Sequence, residues 1–134
     1  MTLSDVAAMK VVQSHKSADW GVATNLSAAI DTLGYHQAMI VFNCGTSTGS
    51  SSNVVTVTAA TTSGGSYSAV TDAAFAAVTS SNDDAVYVGR INLNGTDRYL
   101  KVSAATATAA AQFSITVILT PNYTGDGTTF VFEV

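Results

Sequence analysis

Charged side chains are scarce in this chain: five Lys or Arg and nine Asp or Glu among 134 residues make 10%, against the ~25% of an average soluble domain. Binding to a phosphate backbone needs clustered cations, and with Lys10, Lys16, Arg90, Arg98 and Lys101 as its whole basic set and a net charge of −4, this chain is not expected to bind nucleic acid. One cysteine, Cys44, excludes an internal disulfide and leaves two readings, a small buried apolar residue or an intermolecular thiol. The two histidines, His15 and His36, share no ligand-spaced pattern. Each is expected as a hydrogen-bonded surface or edge residue, and a zinc site is disfavoured. No apolar run approaches the ~20 residues of a membrane span, so no membrane partner is expected. The first 16 residues lack the basic start and apolar core of a signal peptide, so synthesis in a cytoplasm is expected.

Alanine, serine, threonine and glycine occupy the places that charge leaves. Such a surface is neutral and hydroxyl-rich, has little colloidal repulsion, and suits a chain that works within an assembly. The length fits one domain able to bury its own core, here residues 21–134, preceded by residues 1–20 as an N-terminal arm or edge strand.

The apolar pattern has the period of strands. Phe113, Ile115, Val117 and Leu119 alternate with Ser114, Thr116, Ile118 and Thr120, the mark of a strand with one buried face. From His36 to Cys44 both faces are apolar near the middle, with Ala38, Ile40 and Phe42 on one side and Met39 and Val41 on the other. That strand is placed inside a sandwich or against a neighbouring subunit. Further strands are expected at 8–13, 54–60, 87–93, 98–103 and 129–134, where β-branched and aromatic residues dominate. Loops are expected over 45–53 and 61–66, rich in Gly and Ser, and over the alanine-rich 104–111. Residues 68–78, SAVTDAAFAAV, leave a short helix and a short strand both open. In AVYVGRINLNGTDRYLKV, Ala85 to Val102, two alternating runs flank Asn94-Gly95, which points to a β-hairpin. The fold class is therefore all-β, an antiparallel β-sandwich, jelly-roll-like or related, with at most one short helix near 70–78.

Catalytic constellations are hard to find. Asp83 and Asp84 are adjacent carboxylates, but adjacent strand residues point apart and in a loop these are turn formers, so a calcium site is the lesser reading. There is no nucleophile elbow and no phosphate-cradling glycine loop, so neither enzymatic activity nor a cofactor is expected. Trp20 reads as ordinary packing or as an interface anchor.

Three segments taken in order carry a family likeness. They are AIDTLGYHQAMIVFNCGT from Ala29, YSAVTDAAFAAV from Tyr67, and YVGRINLNGTDRYLKVSAATATAAAQFSITVIL from Tyr87. Together they cover about two-thirds of the chain and resemble small virion proteins of tailed bacteriophages, found among head decoration and other minor structural proteins. The resemblance implies a β-sandwich on the capsid exterior that reinforces joints between capsomers. Its partners would be the major capsid protein and copies of itself, as a homotrimer or another homo-oligomer. Contact residues expected on this basis are Trp20, Met39, Val41, Arg90, Arg98 and Lys101. The three cations either solvate a strand edge and discourage stray pairing or touch the capsid. Other readings are a tail, fibre or main capsid component, or a carbohydrate-binding module using Trp20, Tyr35, Tyr67 and Tyr123.

Overall fold

Residues that alternate between apolar and small polar side chains have one stable option, to bury one face of a sheet against another sheet. The computed structural model describes residues 7–121 and the backbone of 130–133, and in it the chain takes that option. Eleven strands follow in order: β1 (Lys10–Trp20), β2 (Ala23–Leu26), β3 (Ile30–Asp31), β4 (Gln37–Ser47), β5 (Ser52–Ala60), β6 (Ser68–Ala74), β7 (Val78–Thr79), β8 (Val86–Asn92), β9 (Tyr99–Ala107), β10 (Ala111–Thr120) and β11 (Phe130–Glu133). One sheet has the order β1-β10-β4-β8-β11. The other has the order β2-β9-β5-β6, with β3 also on β9 and β7 also on β5. All pairings are antiparallel. This is the all-β sandwich expected from the pattern.

The core lies between the sheets. Ile40 and Phe42 of β4, Ile115 and Val117 of β10, and Ile91 of β8 meet Val55, Leu100 and Val102 from the opposite sheet, all fully buried. Phe42 is the aromatic centre: Phe75 and Phe113 present edges at 5.7 and 5.8 Å, and Tyr87 is tilted at 6.1 Å.

The segment around Asn94-Gly95 is not a hairpin. The turn forms, with Gly95 at φ 83° and Thr96 N–H donating to the Leu93 carbonyl. The strands it joins, however, belong to different sheets, β8 beside β4 and β11, and β9 beside β5, β2 and β3. Tyr87 and Ile91 therefore face Leu100 and Val102 across the core instead of lying beside them. A turn signal and two alternating runs satisfy either arrangement, and the core selects this one.

Residues 68–78 hold no helix: 68–74 form β6, and Val78 opens β7 after a three-residue break. Ala73, Phe75 and Val78 are buried, and Phe75 N–H donates to the Val55 carbonyl at 2.9 Å. A bulge with Asp72 at φ 60° breaks the alternation, which explains the mixed periodicity. The alanine-rich 104–111 stretch is likewise strand through Ala107, correcting the expected loop. Ala104 and Thr106 turn inward, and small side chains fit that end of the core. Residues 10–20 form the edge strand β1, and β2 and β3 had no clear signal in the sequence.

The resembling motifs Ile-Asp-Thr-Leu-Gly-Tyr and Arg-Tyr-Leu lock together. The Asp31 carboxylate accepts from Leu33 N–H at 3.0 Å and receives Arg98 through Nε at 2.8 Å and an Nη at 2.7 Å. Thr32 donates its hydroxyl to the Arg98 carbonyl at 2.6 Å. Gly34, at φ 87°, turns the chain into β4.

Candidate functional site

The site residues are best built from sheet register, because cross-strand partners in an antiparallel sheet share a face. On the outer side of the five-stranded sheet, one row runs Val11, Ile118, Met39, Arg90, and the next runs Gln13, Thr116, Val41, Val88. A third row is Ser114, Asn43, Val86, and a fourth is Thr120, Gln37, Asn92. The middle is aliphatic, with Met39, Val41, Val88 and Ile118 half-buried by their neighbours and Val11 and Val86 open at 66% and 46% exposure. Amides and hydroxyls surround them, and the rows continue onto β11 with Val131 opposite Arg90 and Glu133 opposite Val88, so the register places charge at Arg90 and Glu133. An apolar centre with a largely polar rim has the anatomy of a protein interface.

The outer side of the other sheet differs in chemistry. Ser103 pairs with Thr56 and Lys101 with Thr58, and the exposed aliphatics Leu26, beside Ser103, and Val54, opposite Ala105, lie among these hydroxyls. A basic and aromatic cluster lies at one end. Lys101 Nζ sits 4.4 Å from the Tyr67 ring centre, and the Arg98 guanidinium sits 5.0 Å from that of Tyr99. The Arg98 hydrogen bonds lower the Asp31 carboxyl to about 2, with the Leu33 N–H assisting.

Between the sheets, the open edge beside β1 is closed by His15. It is 2% exposed, against the expectation of a surface or edge group, although it lies on an edge strand. Its ring is edge-on to Trp20 at 5.4 Å and tilted against Phe113 at 6.0 Å, while Trp20 stacks on Phe113 at 5.5 Å. Nε2 lies 3.0 Å from the Asn25 carbonyl of β2, so it carries the proton and donates across the seam. Nδ1 is 3.2 Å from the Ser14 hydroxyl.

Burial lowers the His15 pKa from 6.5, more than the bond to Asn25 raises it. The unfolded chain therefore takes up this proton at higher pH than the folded one. Stability is expected to fall as pH drops below 6.5. A second loss is expected below 3.8 as the Asp31 carboxylate is neutralised. Thermal unfolding followed from neutral pH down to about 2, where the folded-state Asp31 carboxyl titrates, should show both steps, with His15→Leu removing the upper one and Asp31→Asn the lower. An unchanged upper step in His15→Leu would assign it to another group.

The six expected contact residues fall in three places. Met39, Val41 and Arg90 share the outer face of the five-stranded sheet, Arg98 and Lys101 lie on the other sheet, and Trp20 belongs to the seam. Arg90 and Lys101 sit on β8 and β9, each flanked by strands on both sides, and Arg98 directly precedes β9. The edge-solvating reading of these cations is therefore corrected. Ile118, Val88, Val86 and Val11 complete the apolar face and had not been singled out. Ile118 did leave a trace, as the lone aliphatic on the polar side of its strand.

Asp83 and Asp84 pin the end of β4: Ser47 N–H donates to Asp83 at 2.6 Å and the Thr46 hydroxyl to Asp84 at 3.0 Å. Among the described residues, no group of three or more His, Cys, Asp or Glu could hold a metal ion. Cys44 is buried, and desolvation, with Asp83 assisting, pushes its thiol up to about 12. Trp20, Tyr35 and Tyr67 form no common platform, since Trp20 stacks on Phe113, Tyr35 packs on the core and Tyr67 lies under Lys101. Tyr123 lies outside the described residues.

The chain matches no protein-family profile and no curated protein. Among solved structures it shares its fold with the SPBc2 prophage-derived protein YomS, at a TM-score of 0.56 and 10% identity, over 84% of this chain and 92% of that one.

Proposed function

We propose that this chain is a virion structural protein of a tailed bacteriophage, a decoration or cement protein that binds the outer capsid surface and reinforces capsomer joints. The observation that carries the reading is the sandwich fold shared with a prophage-derived protein along most of both chains. The sequence resemblance points the same way, as does a surface with little charge, which lets many copies crowd together.

On this reading the protein acts by adding contact area and performs no chemistry. Its partners are the major capsid protein and copies of itself, and its place is the capsid exterior after synthesis in the host cytoplasm. The hydroxyl-rich sheet faces the capsid, with Tyr67, Tyr99 and Lys101 as anchors, because aromatic and cationic side chains held against each other lose little freedom on docking.

A particle reconstruction is expected to show the chain on the shell at a copy number near that of the capsomers. Lys101→Glu combined with Tyr67→Ala is expected to lower shell occupancy about tenfold or more, the scale of one or two lost anchors, while the free protein keeps its melting temperature. Density for the chain in the tail would make it a tail or fibre component instead. Unchanged occupancy in the double variant would move the capsid contact off this sheet.

A further inference from the structure

We infer that Ser14 and His15 form a proton switch that keeps the seam beside β1 closed on acidification: as the His15 ring takes up a proton at Nδ1, the Ser14 hydroxyl turns from that nitrogen to the Ile115 carbonyl. The switch is a property of the fold and is independent of the virion reading.

The direction of each hydrogen bond follows from its partners. A carbonyl can only accept, so Nε2, 3.0 Å from the Asn25 carbonyl, keeps its proton whether the ring is neutral or charged. The proton gained in acid therefore goes to Nδ1. There the partner is a hydroxyl, which can donate or accept. Ser14 Oγ lies 3.2 Å from Nδ1 and 3.2 Å from the Ile115 carbonyl oxygen, and its one hydrogen serves one of them at a time. With a neutral ring it points at Nδ1. With a charged ring Nδ1–H donates to Oγ, and the hydroxyl hydrogen swings about the Cβ–Oγ bond onto the Ile115 carbonyl. Both N–H groups of the imidazolium then have an acceptor, and the backbone need not move.

A bulge makes this arrangement possible. Gln13 pairs with Thr116 and His15 with Ile115, so Ser14 is an extra residue in β1. Strict alternation would send the Ser14 and His15 side chains to opposite faces, and the bulge lets both work at one seam. Ser14 also lines a cleft of about 330 Å³ with Lys10, Gln13, Ser27 and Asp31, which brings water up to a ring that is itself 2% exposed. No counter-ion faces the ring. β2 and β10, which pack against it, carry no ionisable side chain, Lys10, Lys16 and Asp19 of β1 are exposed, and Asp31 is engaged by Arg98. Hydrogen bonds alone hold the charge, so burial still makes His15 harder to protonate than a free histidine.

Imidazole nitrogen spectra of the full chain, followed from about pH 8 to about pH 4 to bracket histidine titration, are expected to show the Nε2–H tautomer at neutral pH. A single protonation step should follow below 6.5, with the Trp20 indole signal still at its folded position, and His36→Gln separates the signals of the other histidine. Ser14→Ala is expected to lower the proton affinity of His15 about tenfold, the scale of one hydrogen bond to a charged group. Ser14→Thr, which keeps the hydroxyl, should restore it. An Nδ1–H tautomer at neutral pH overturns the switch. So does a Trp20 signal that moves to its unfolded position as the ring charges, or a Ser14→Ala chain that titrates like the native one. The first two results are read on the native chain, so they decide the matter even if Ser14→Ala fails to fold.

Discussion

Phe42→Ala is expected to cost about 3–5 kcal/mol of folding stability, the usual range for truncating a fully buried aromatic. Phe42 has 0% exposure and touches rings from three other parts of the chain, Phe75 after β6, Tyr87 on β8 and Phe113 on β10. Those rings are held by backbone pairing in both sheets, so they cannot close over the vacated volume without breaking register. The cost is therefore placed in the upper part of the range. With a total margin of ~5–15 kcal/mol for a domain, the variant should lose roughly 10–20 °C in melting temperature and unfold at much lower urea. Equilibrium unfolding measures this directly. A loss below about 1 kcal/mol would mean that the site collapses freely and that the centre of the core lies elsewhere.

The same ring cluster shows what the sequence can carry. Phe42 and Phe113 were readable as inward-facing because each sits in an unbroken alternation, and alternation is a local property. Phe75 was not, because the bulge at Asp72 and the surrounding alanines hide its period. The 85–102 segment was misread for a related reason. Turn chemistry at Asn94-Gly95 states that the chain reverses, but not whether the two strands pair side by side or face each other across a core. The contact surface divides similarly. Met39 and Val41 were visible within one strand, whereas Ile118, Val88 and Val11 join them only through register, which no single segment encodes. His15 was undervalued because its role depends on Asn25, ten residues away on the other sheet.

Deleting residues 1–18 is expected to abolish cooperative folding, where a detachable N-terminal arm would come away without effect. β1 pairs with β10 from Lys10 opposite Leu119 to Trp20 opposite Ala111, the full length of that strand. Its loss turns β10 into a bare edge lined with unpaired backbone groups. It also removes His15 from the seam, leaving the Asn25 carbonyl without the imidazole and Phe113 without one of its aromatic neighbours. Val12, packed against the core, goes as well. Together these losses exceed the roughly 4–5 kcal/mol that marks the extreme of single substitutions, and they approach the whole margin of a domain. The truncated chain should give poorly dispersed amide resonances and no sharp melting transition, and a peptide spanning residues 10–20 added in trans should restore both. A truncated chain that melts as sharply as the full one would show that β1 only rests on the sandwich. Residues 10–20 would then be free to leave β10 and lie over a neighbouring subunit, which the pairing along all of β10 argues against.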